Sequence, residues 1–336
     1  MRNLSQLPKC HLHLHFVGSM RGRTLIELCR QKNIKLPYQL LKSSKVMLDP
    51  SQRGWHKFQE LYEIARSCID HPQEIQRILF EAVEDDQLEG SRRLEIQVDP
   101  TTYVKLFDNS YEKCVEFILE QLQAASAKFG VEVGLIIAAS RLHGGEHALK
   151  LAELAAKYAD QGVIGFGLSN DERVGSTSDF VPAFDVARQA GLILVPHGGE
   201  ILGPNSLKDI IEKLHPQRIG HGVSAVGDPQ LLREIVAQNI TLEFSPVSNL
   251  HLGVVNLYKD FPLHKFLDAG VRCCLNADDP LLFEHRLLYQ YVVAREYMRA
   301  VDSDLAQLAK YSIIGSTASH ESKRRWLKEV DQWQTV

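Results

Sequence analysis

The chain has 336 residues, of which 44% are hydrophobic, and a formal net charge of −4 at pH 7. This composition allows a sizeable core, and the charge gives no electrostatic basis for binding nucleic acid or an anionic membrane. No apolar run reaches the roughly 18 residues of a membrane-spanning helix, and the six cysteines show no CxxC pair or disulfide-framework spacing. We therefore expect a cytoplasmic protein with reduced thiols that acts on a small molecule.

Short β-rich apolar runs alternate along the chain with amphipathic helical stretches. This alternation is typical of βα units that form one parallel sheet. The predicted strands cover residues 10–16, 93–99, 131–139, 163–169, 192–198, 218–223, 241–247 and 272–278. The predicted helices include 53–69, 147–162 with Gly162 as its C-cap, 180–190 and 206–213.

The first connection is long, because residues 23–92 separate the first two predicted strands. A connection of this length needs secondary structure of its own, so we expect a helical insertion over one end of the sheet. No linker composition or internal repeat divides the chain, which predicts a single domain over residues 1–336. Eight strands in one domain favour a (β/α)8 TIM barrel over an open doubly wound sheet.

Polar residues follow four of the predicted strands at their carboxyl ends, where (β/α)8 barrels place their active sites. These residues are His13 and His15, His197 and Glu200 in HGGE, His221 in GHG, and Asp278 and Asp279 in NADDP. One such cluster is weak evidence, because a lone strand histidine is usually a hydrogen-bonded core residue and Asp-Pro often begins a helix. Four clusters at matching strand ends predict a shared site.

The histidine spacing in the first strand suits a metal. Side chains two residues apart share a face of a strand, with Cα atoms about 6.6 Å apart, so His13 and His15 can converge on one ion. His197 and Asp278, from two other strands, complete a His3Asp set with an open position, which is typical of a catalytic zinc site. We predict one Zn²⁺ per chain, with iron or manganese as alternatives. His11 lies one layer deeper, and we expect a buried histidine with a hydrogen-bond partner.

Six motifs occur together, and in order they are PKCHLHLHFVGS, FGLSNDE, HGGE, RIGHG, SPVSN and LNADDP. In order and spacing they resemble the adenosine deaminase family of metal-dependent hydrolases. HLHFVGSMR and FGLSNDER are more narrowly similar to a bacterial adenosine deaminase-like branch. The resemblance covers most of the chain. It implies a TIM barrel, one divalent metal, and hydrolytic removal of the 6-amino group from a purine.

The resemblance also implies roles for individual residues. The three histidines and the aspartate of the His3Asp set would hold the metal, which activates the water that attacks C6 of the purine. Glu200 would protonate N1 as the general acid, and His221 would orient the nucleophile. Asp279 would hydrogen-bond the attacking oxygen and N7. Asn170 stands where the family has a glycine whose amide contacts N3, and its own backbone N–H would make that contact.

The predicted helix over 53–69 would cover the site as an apolar lid. Trp55, Phe58, Leu61 and Tyr62 share one face of this helix. The alternative is that this apolar face only packs the insertion onto the barrel.

One position departs from the family pattern. The residue two beyond the second metal histidine is usually Asp or Glu, which contacts the ribose in nucleoside deaminases, whereas this chain has Val17. Valine cannot accept a hydrogen bond, so water or another residue such as Ser19 would replace that contact. We predict adenosine or 2′-deoxyadenosine as the substrate. The alternatives are 6-aminodeoxyfutalosine, for which an apolar wall at Val17 would suit a modified 5′ end, adenine, and an N6-substituted adenine.

Other functional classes can be tested against the same motifs. A two-metal hydrolase of amides or phosphoesters would need a bridging carboxylated lysine at the end of the fourth strand, and IGFGLSN contains no lysine. A non-enzymatic purine sensor would be expected to lack Glu200 or a metal ligand, and all are present. The nucleic-acid-editing zinc deaminases are excluded, because the chain lacks their H-x-E…P-C-x-x-C signature. Nothing in the sequence indicates an oligomeric state.

Overall fold

Eight parallel strands follow one another in chain order around one sheet. They are β1 (Lys9–His15), β2 (Ser91–Val98), β3 (Glu132–Ser140), β4 (Val163–Ser169), β5 (Ile193–Gly198), β6 (Arg218–His221), β7 (Thr241–Phe244) and β8 (Arg272–Leu275). The computed structural model describes residues 1–37, 40 and 52–335. Both faces of a parallel sheet are buried, which explains the nearly continuous apolar sequence of these strands.

The sheet closes on itself where the segment after β8 meets β1. Leu14 and Asp278 form a parallel bridge. The N–H of Asp278 donates to the His13 carbonyl at 3.1 Å, and the N–H of His15 donates to the Asp278 carbonyl at 3.1 Å. The architecture is therefore the predicted (β/α)8 barrel.

Helices surround the barrel and extend it at both ends. In the described part of the chain they are α1 (Gly22–Gln31), α2 (Gln52–Ser67), α3 (Pro72–Leu88), α4 (Tyr111–Phe129), α5 (Gly144–Lys157), α6 (Val181–Gln189), α7 (Pro204–Leu214), α8 (Pro229–Ala237), α9 (Pro246–His251), α10 (Leu263–Asp268), α11 (Pro280–Phe283), α12 (Leu287–Tyr297), α13 (Asp302–Gly315) and α14 (His320–Thr335). None of the described helices combines the length and hydropathy needed to cross a bilayer.

The insertion between β1 and β2 is helical where it is described, with α1, α2 and α3. Residues 38–39 and 41–51 of the predicted insertion lie outside the described residues. The helix predicted over 53–69 corresponds to α2, and the predictions over 180–190 and 206–213 correspond to α6 and α7.

The helix predicted over 147–162 needs a correction at both ends. It is α5, which runs from Gly144 to Lys157, and a 3-10 turn over Ala159–Gln161 follows it. Gly162, with a φ of 114°, ends this 3-10 turn and does not cap the α-helix. The apolar period continues through the turn, so it did not reveal where the α-helix stops.

The last three strands are shorter than predicted, because their carboxyl ends turn away from the sheet. His221, the last residue of β6, has a positive φ angle of 68°, a conformation that ends regular strand pairing. β8 ends at Leu275, and Asp278, with a φ angle of 63°, follows it. Pro246 begins α9 directly after β7. The segments that leave the strands early are those that carry polar residues into the barrel mouth.

A chain of charged side chains fills the barrel below these ends. The Glu95 carboxylate accepts hydrogen bonds from Arg93 Nε at 2.7 Å and from Arg218. Arg218 Nε also lies 2.7 Å from Glu243 Oε1, and the other Glu243 oxygen lies 3.0 Å from His13 Nδ1. All five residues are buried. Each buried carboxylate therefore has a cationic or N–H partner, which buried charges require.

The Glu95 carboxylate makes stability depend on pH. Burial by itself raises a carboxyl pKa, but Arg218 and Arg93 together lower the pKa of Glu95 to about 2, from its usual 4.5. A lowered folded-state pKa stabilises the protein above the unfolded-state pKa, and this contribution is lost as the pH falls from about 4.5 towards 2. We expect Glu95→Gln to reduce the free energy of unfolding at pH 7 by about 3–5 kcal/mol, because the two arginines lose their counter-charge.

Urea unfolding of wild type and Glu95→Gln at pH 7, 5, 4 and 3.5 checks this prediction. The difference between the two proteins should narrow below pH 4.5. Glu132→Gln is the matched control, because the half-exposed Glu132 lies 3.4 Å from the same Arg93. It should cost less than about 1 kcal/mol at any pH. A difference that stays constant from pH 7 to pH 3.5 would contradict the linkage argument.

Candidate active site

The carboxyl ends of the strands open into a cavity of about 320 Å³. Its polar lining includes His15, Gln97, Asp99, Ser140, Asn170, His197, Glu200, His221, Asp278 and Asp279. Val17 also lines the cavity, and His13 is fully buried beside His15. The structure therefore brings all of the predicted site residues to one place.

Four of these side chains point their ligand atoms at a common centre. His15 Nε2 lies 3.3 Å from His13 Nε2, 3.1 Å from His197 Nε2 and 3.2 Å from Asp278 Oδ1. His13 Nε2 lies 3.3 Å from the same Asp278 oxygen. A tetrahedral ion with bonds of 2.0–2.1 Å requires ligand atoms roughly 3.3 Å apart. These residues therefore fit a zinc-sized cation in both donor type and spacing.

His221 lies at the edge of this group. The potential ligand atoms of His13, His197, His221 and Asp278 all lie within 4.8 Å of one another. However, His221 Nε2 is 4.0 Å from the nearest Asp278 oxygen and 3.5 Å from Glu200 Oε1. This looser spacing places His221 beside the centre on which the other residues converge.

The ring nitrogens facing away from the centre are held by hydrogen bonds. His13 Nδ1 donates to Glu243 at 3.0 Å, and His197 Nδ1 donates to the Leu168 carbonyl at 2.9 Å. With the proton on Nδ1, each ring directs the lone pair of Nε2 towards the centre. Glu243 was not among the predicted site residues. Its only indication in the sequence is that a glutamate interrupts the apolar strand TLEF.

His11 has a different environment, as predicted. Its Nδ1 donates to Asp86 at 2.9 Å, and its Nε2 accepts the N–H of Ala277 at 3.1 Å. Both ring nitrogens are thus occupied by protein partners, and the side chain is buried. His11 is confirmed as a hydrogen-bonded core histidine.

Glu200 is held at the cavity by the loop that follows β5. Its backbone N–H donates to Glu172 Oε1 at 2.9 Å, and the N–H of Leu202 donates to Glu172 Oε2 at 3.0 Å. Burial and the neighbouring Asp278 carboxylate raise the pKa of Glu200 well above its usual value. A raised pKa favours the protonated form of a carboxyl group, which is the form that can act as a proton donor. Glu172 was missed at the sequence level, although it belongs to the quoted motif FGLSNDE.

His221 is neutral at neutral pH. Burial lowers its pKa to about 3, and its Nδ1 accepts a hydrogen bond from Asn249 Nδ2 at 3.3 Å. The ring proton is therefore on Nε2, the nitrogen nearest Glu200. This tautomer makes His221 a hydrogen-bond donor towards the cavity.

Asp279 occupies the wall next to Asp278. Burial and the charge of Asp278 raise the pKa of Asp279 well above its usual value. Its Oδ1 has no hydrogen-bond partner among the residues that the structure describes. A Cβ on Gly18 would lie 1.8 Å from that oxygen, so only glycine leaves room for the Asp279 carboxyl. This explains the glycine in HLHLHFVG.

Two predicted substrate-binding residues also lie at the cavity. Asn170 has a φ of 80°, and its side chain accepts the N–H of Asp171 at 2.8 Å. Val17 contributes an apolar wall and is 3% exposed. The suggestion that Ser19 replaces the missing acid is wrong. Ser19 is fully buried outside the lining, and its hydroxyl donates to the Phe16 carbonyl at 2.7 Å.

Helix α2 covers one side of the cavity. Trp55, Phe58 and Tyr62 line it, and the Phe58 ring stacks on Phe283 with ring centroids 5.6 Å apart. Leu61, predicted to share this face, is instead buried in the core. The helix also carries Arg66 into the lining, which the apolar pattern did not indicate.

The sequence matches the family model described as adenosine deaminase over residues 8–333. The chain belongs to the adenosine deaminase family. A Streptomyces virginiae protein named "Putative adenosine/adenine deaminase" is 47% identical over 335 residues, which cover 99% of this chain and 98% of the relative. An adenine deaminase of Rhizobium leguminosarum is 31% identical over 96% of this chain and 99% of its own length.

Among solved structures of the family, the adenine deaminase from Arthrobacter aurescens superimposes with a TM-score of 0.89. Its sequence identity is 27%, and the match covers 98% of this chain and 99% of the other. The family match and these relatives support a hydrolytic deaminase of the adenosine/adenine type, in a metal-dependent family.

Proposed function

We propose that this protein hydrolytically removes the 6-amino group of adenine or adenosine and releases it as ammonia. The observation that supports it most directly is the convergence of three imidazoles and one carboxylate next to the buried carboxyl of Glu200, whose pKa is raised by burial and by Asp278. A deaminase of this kind needs an activated water on one face of C6 and a proton donor at N1.

The proposed metal ligands are His13, His15, His197 and Asp278, which would hold one divalent cation. Zinc fits the nitrogen and oxygen donors and their spacing best. When bound, such a cation lowers the pKa of a water molecule so that it can attack carbon at neutral pH. The hydrogen bonds that His13 and His197 donate to Glu243 and to the Leu168 carbonyl fix the rings for this task.

The remaining side chains act on the purine. Glu200 donates its proton to N1, so the ring accepts the nucleophile at C6 without becoming an anion. His221 donates from Nε2 to the attacking oxygen and orients it. Asp279, whose pKa is raised by burial and by the charge of Asp278, donates a hydrogen bond to N7, and the Asn170 backbone N–H contacts N3. One proton of the attacking water replaces the proton that Glu200 gives to N1, and the other passes to the amino group. The tetrahedral carbon then collapses to the 6-oxopurine and the amine departs as ammonia.

The residue at position 17 bears on whether the substrate is the free base or the nucleoside. Nucleoside deaminases of the family carry an acid at the position of Val17, and here the wall is apolar. Adenine deaminases are among the relatives with high coverage. Both observations favour adenine over adenosine and 2′-deoxyadenosine as the better substrate.

A substrate screen with the zinc-loaded enzyme tests the proposal. We expect ammonia release from adenine and, with a lower kcat/KM, from adenosine and 2′-deoxyadenosine. 6-Aminodeoxyfutalosine and N6-methyladenine, which would release methylamine, complete the panel. The absence of turnover with every 6-aminopurine would overturn the proposed function. A higher kcat/KM for adenosine than for adenine would keep the chemistry and reverse the substrate preference.

A further inference from the structure

The side chain of Gln97 is buried at the cavity and has no hydrogen-bond partner within residues 1–37, 40 and 52–335. Gln97 is 1% exposed and belongs to the cavity lining. Neither Nε2 nor Oε1 has a hydrogen-bond partner among the described residues. Nearly all buried amides in proteins are hydrogen-bonded, because leaving one unpaired costs free energy. An amide that is buried, unpaired and exposed to a ligand cavity points to a ligand that satisfies it.

The position of Gln97 in the barrel identifies the part of the ligand that it faces. Its backbone carbonyl accepts the N–H of Phe16 at 3.0 Å, which fixes the end of β2 next to β1. A Cβ on Gly167 would come within 3.4 Å of Gln97 Oε1, so the amide reaches across the cavity wall as far as β4. The two atoms lacking partners therefore lie on the arc formed by β2, β3 and β4.

The proposed catalytic groups lie on the other arc. Glu200 follows β5, His221 ends β6, and Asp279 follows β8. With C6 at the proposed metal centre, N1 at Glu200 and N7 at Asp279, the purine edge that remains carries N3 and N9. This edge points towards the arc that contains Gln97.

The free base and the nucleoside differ at this edge. Adenine has an acceptor at N3 beside a donor at N9–H, whereas in adenosine N9 carries the sugar and has no hydrogen. A glutamine amide offers one donor and one acceptor side by side, the pattern with which Asn and Gln bind base edges in pairs of hydrogen bonds. We propose that Gln97 binds the N3/N9–H edge of free adenine, with Oε1 accepting N9–H and Nε2 sharing N3 with the Asn170 backbone N–H. Gln97 thereby selects the base over its N9-substituted forms.

This inference rests on the proposed function, since it assumes that C6 faces the catalytic groups. It assigns the substrate preference to a positive contact at Gln97, in addition to the missing acid at Val17. Water molecules between Gln97 and the purine would not discriminate between adenine and its N9-substituted forms, because water can reorient to satisfy either amide atom.

The test compares adenine with 9-methyladenine, which lacks only the N9–H donor. Wild type should use adenine with a kcat/KM at least about tenfold higher, because 9-methyladenine leaves Gln97 Oε1 unpaired. Gln97→Leu keeps a similar volume and should lower kcat/KM for adenine about tenfold or more. Its kcat/KM for 9-methyladenine should change little, so the preference disappears.

Gln97→Ala is the second variant, because it also opens space for the N9 substituent. The ratio of kcat/KM for 9-methyladenine to kcat/KM for adenine should be higher in Gln97→Ala than in Gln97→Leu. Gln121→Leu is the matched control, since Gln121 is a buried glutamine on α4 that accepts a hydrogen bond from Gln76 Nε2 at 2.6 Å and does not line the cavity. It should leave the adenine to 9-methyladenine ratio as in wild type.

Two results would overturn the inference. One is a wild type that uses adenine and 9-methyladenine equally well, and this measurement needs no variant. The other is an equal loss on both substrates in Gln97→Leu, which would indicate a purely structural role. Inhibition by hypoxanthine and 9-methylhypoxanthine gives a binding readout independent of turnover. Failure of the proposed function would appear differently, as wild type that deaminates neither purine.

Discussion

The Glu200→Gln variant is expected to deaminate its purine about 10²–10⁴-fold more slowly than wild type while retaining its metal. An amide of the same shape cannot donate a proton to N1, and the buried Glu200 carboxyl is the group whose raised pKa keeps that proton available. Because Glu200 is not in the set of proposed ligands, metal content should not change. Initial rates of ammonia release and metal analysis of the same preparation measure both quantities.

The control for Glu200→Gln is a glutamate-to-glutamine substitution at an exposed position. Glu212 lies on α7 with an exposed side chain, and Glu212→Gln should retain wild-type turnover. If Glu200→Gln kept its turnover, Glu200 would not be the general acid. If it lost its metal, the separation between the acid and the ligand set would be wrong.

Replacement of His13 by Asn should remove both the metal and the activity. His13 Nε2 lies 3.3 Å from the ligand atoms of His15 and Asp278, so its loss breaks the proposed coordination set. The substitution also leaves the buried Glu243 oxygen without its imidazole partner, which adds a cost in stability. Metal content and ammonia release of the purified variant test the prediction, and treatment of wild type with a chelator should reproduce the loss of activity.

His11→Asn is the matched control, since His11 lies two residues earlier on the same strand. Both of its ring nitrogens are bonded to protein groups, so we expect about 1–3 kcal/mol of lost stability with full metal content. Loss of metal from a folded His11→Asn protein, or its retention in His13→Asn, would contradict the assignment of the three histidines in HLHLHFVG. Activity that returns when zinc is added back to chelated wild type would show that the cation is required.

Much of the fold could be predicted because its signals are local. Each strand is a short apolar run, and eight of them separated by helical patterns leave few arrangements other than a barrel. The errors occur where a local pattern continues past a change in backbone geometry. Gly162 ends a 3-10 turn after the helix has stopped, and the positive φ angle at His221 ends β6 two residues before the predicted end of that strand.

Some residues of the candidate site could be predicted from local sequence and others could not. Residues at strand ends could be placed, because the carboxyl ends of parallel strands meet at one face of the barrel. Glu172, Glu243 and Gln97 could not, since their roles depend on which side chain of a distant element lies opposite. Glu172 and Glu200 are joined through a loop, whereas Gln97 is notable only because its amide has no partner in the part of the chain that the structure describes. Sequence patterns carry no information about an unpaired atom.

The bridge between Leu14 and Asp278 has a consequence for biosynthesis. A ribosome makes β1, with two of the proposed ligands, near the start of the chain, and it makes Asp278 only after the last strand. A nascent chain that stops before β8 has no strand to close the barrel. Pairing between segments as distant in sequence as β1 and the residues after β8 also forms slowly during folding. The complete ligand set therefore comes into existence with barrel closure. Metal uptake should then report completed folding and stabilise only the closed form.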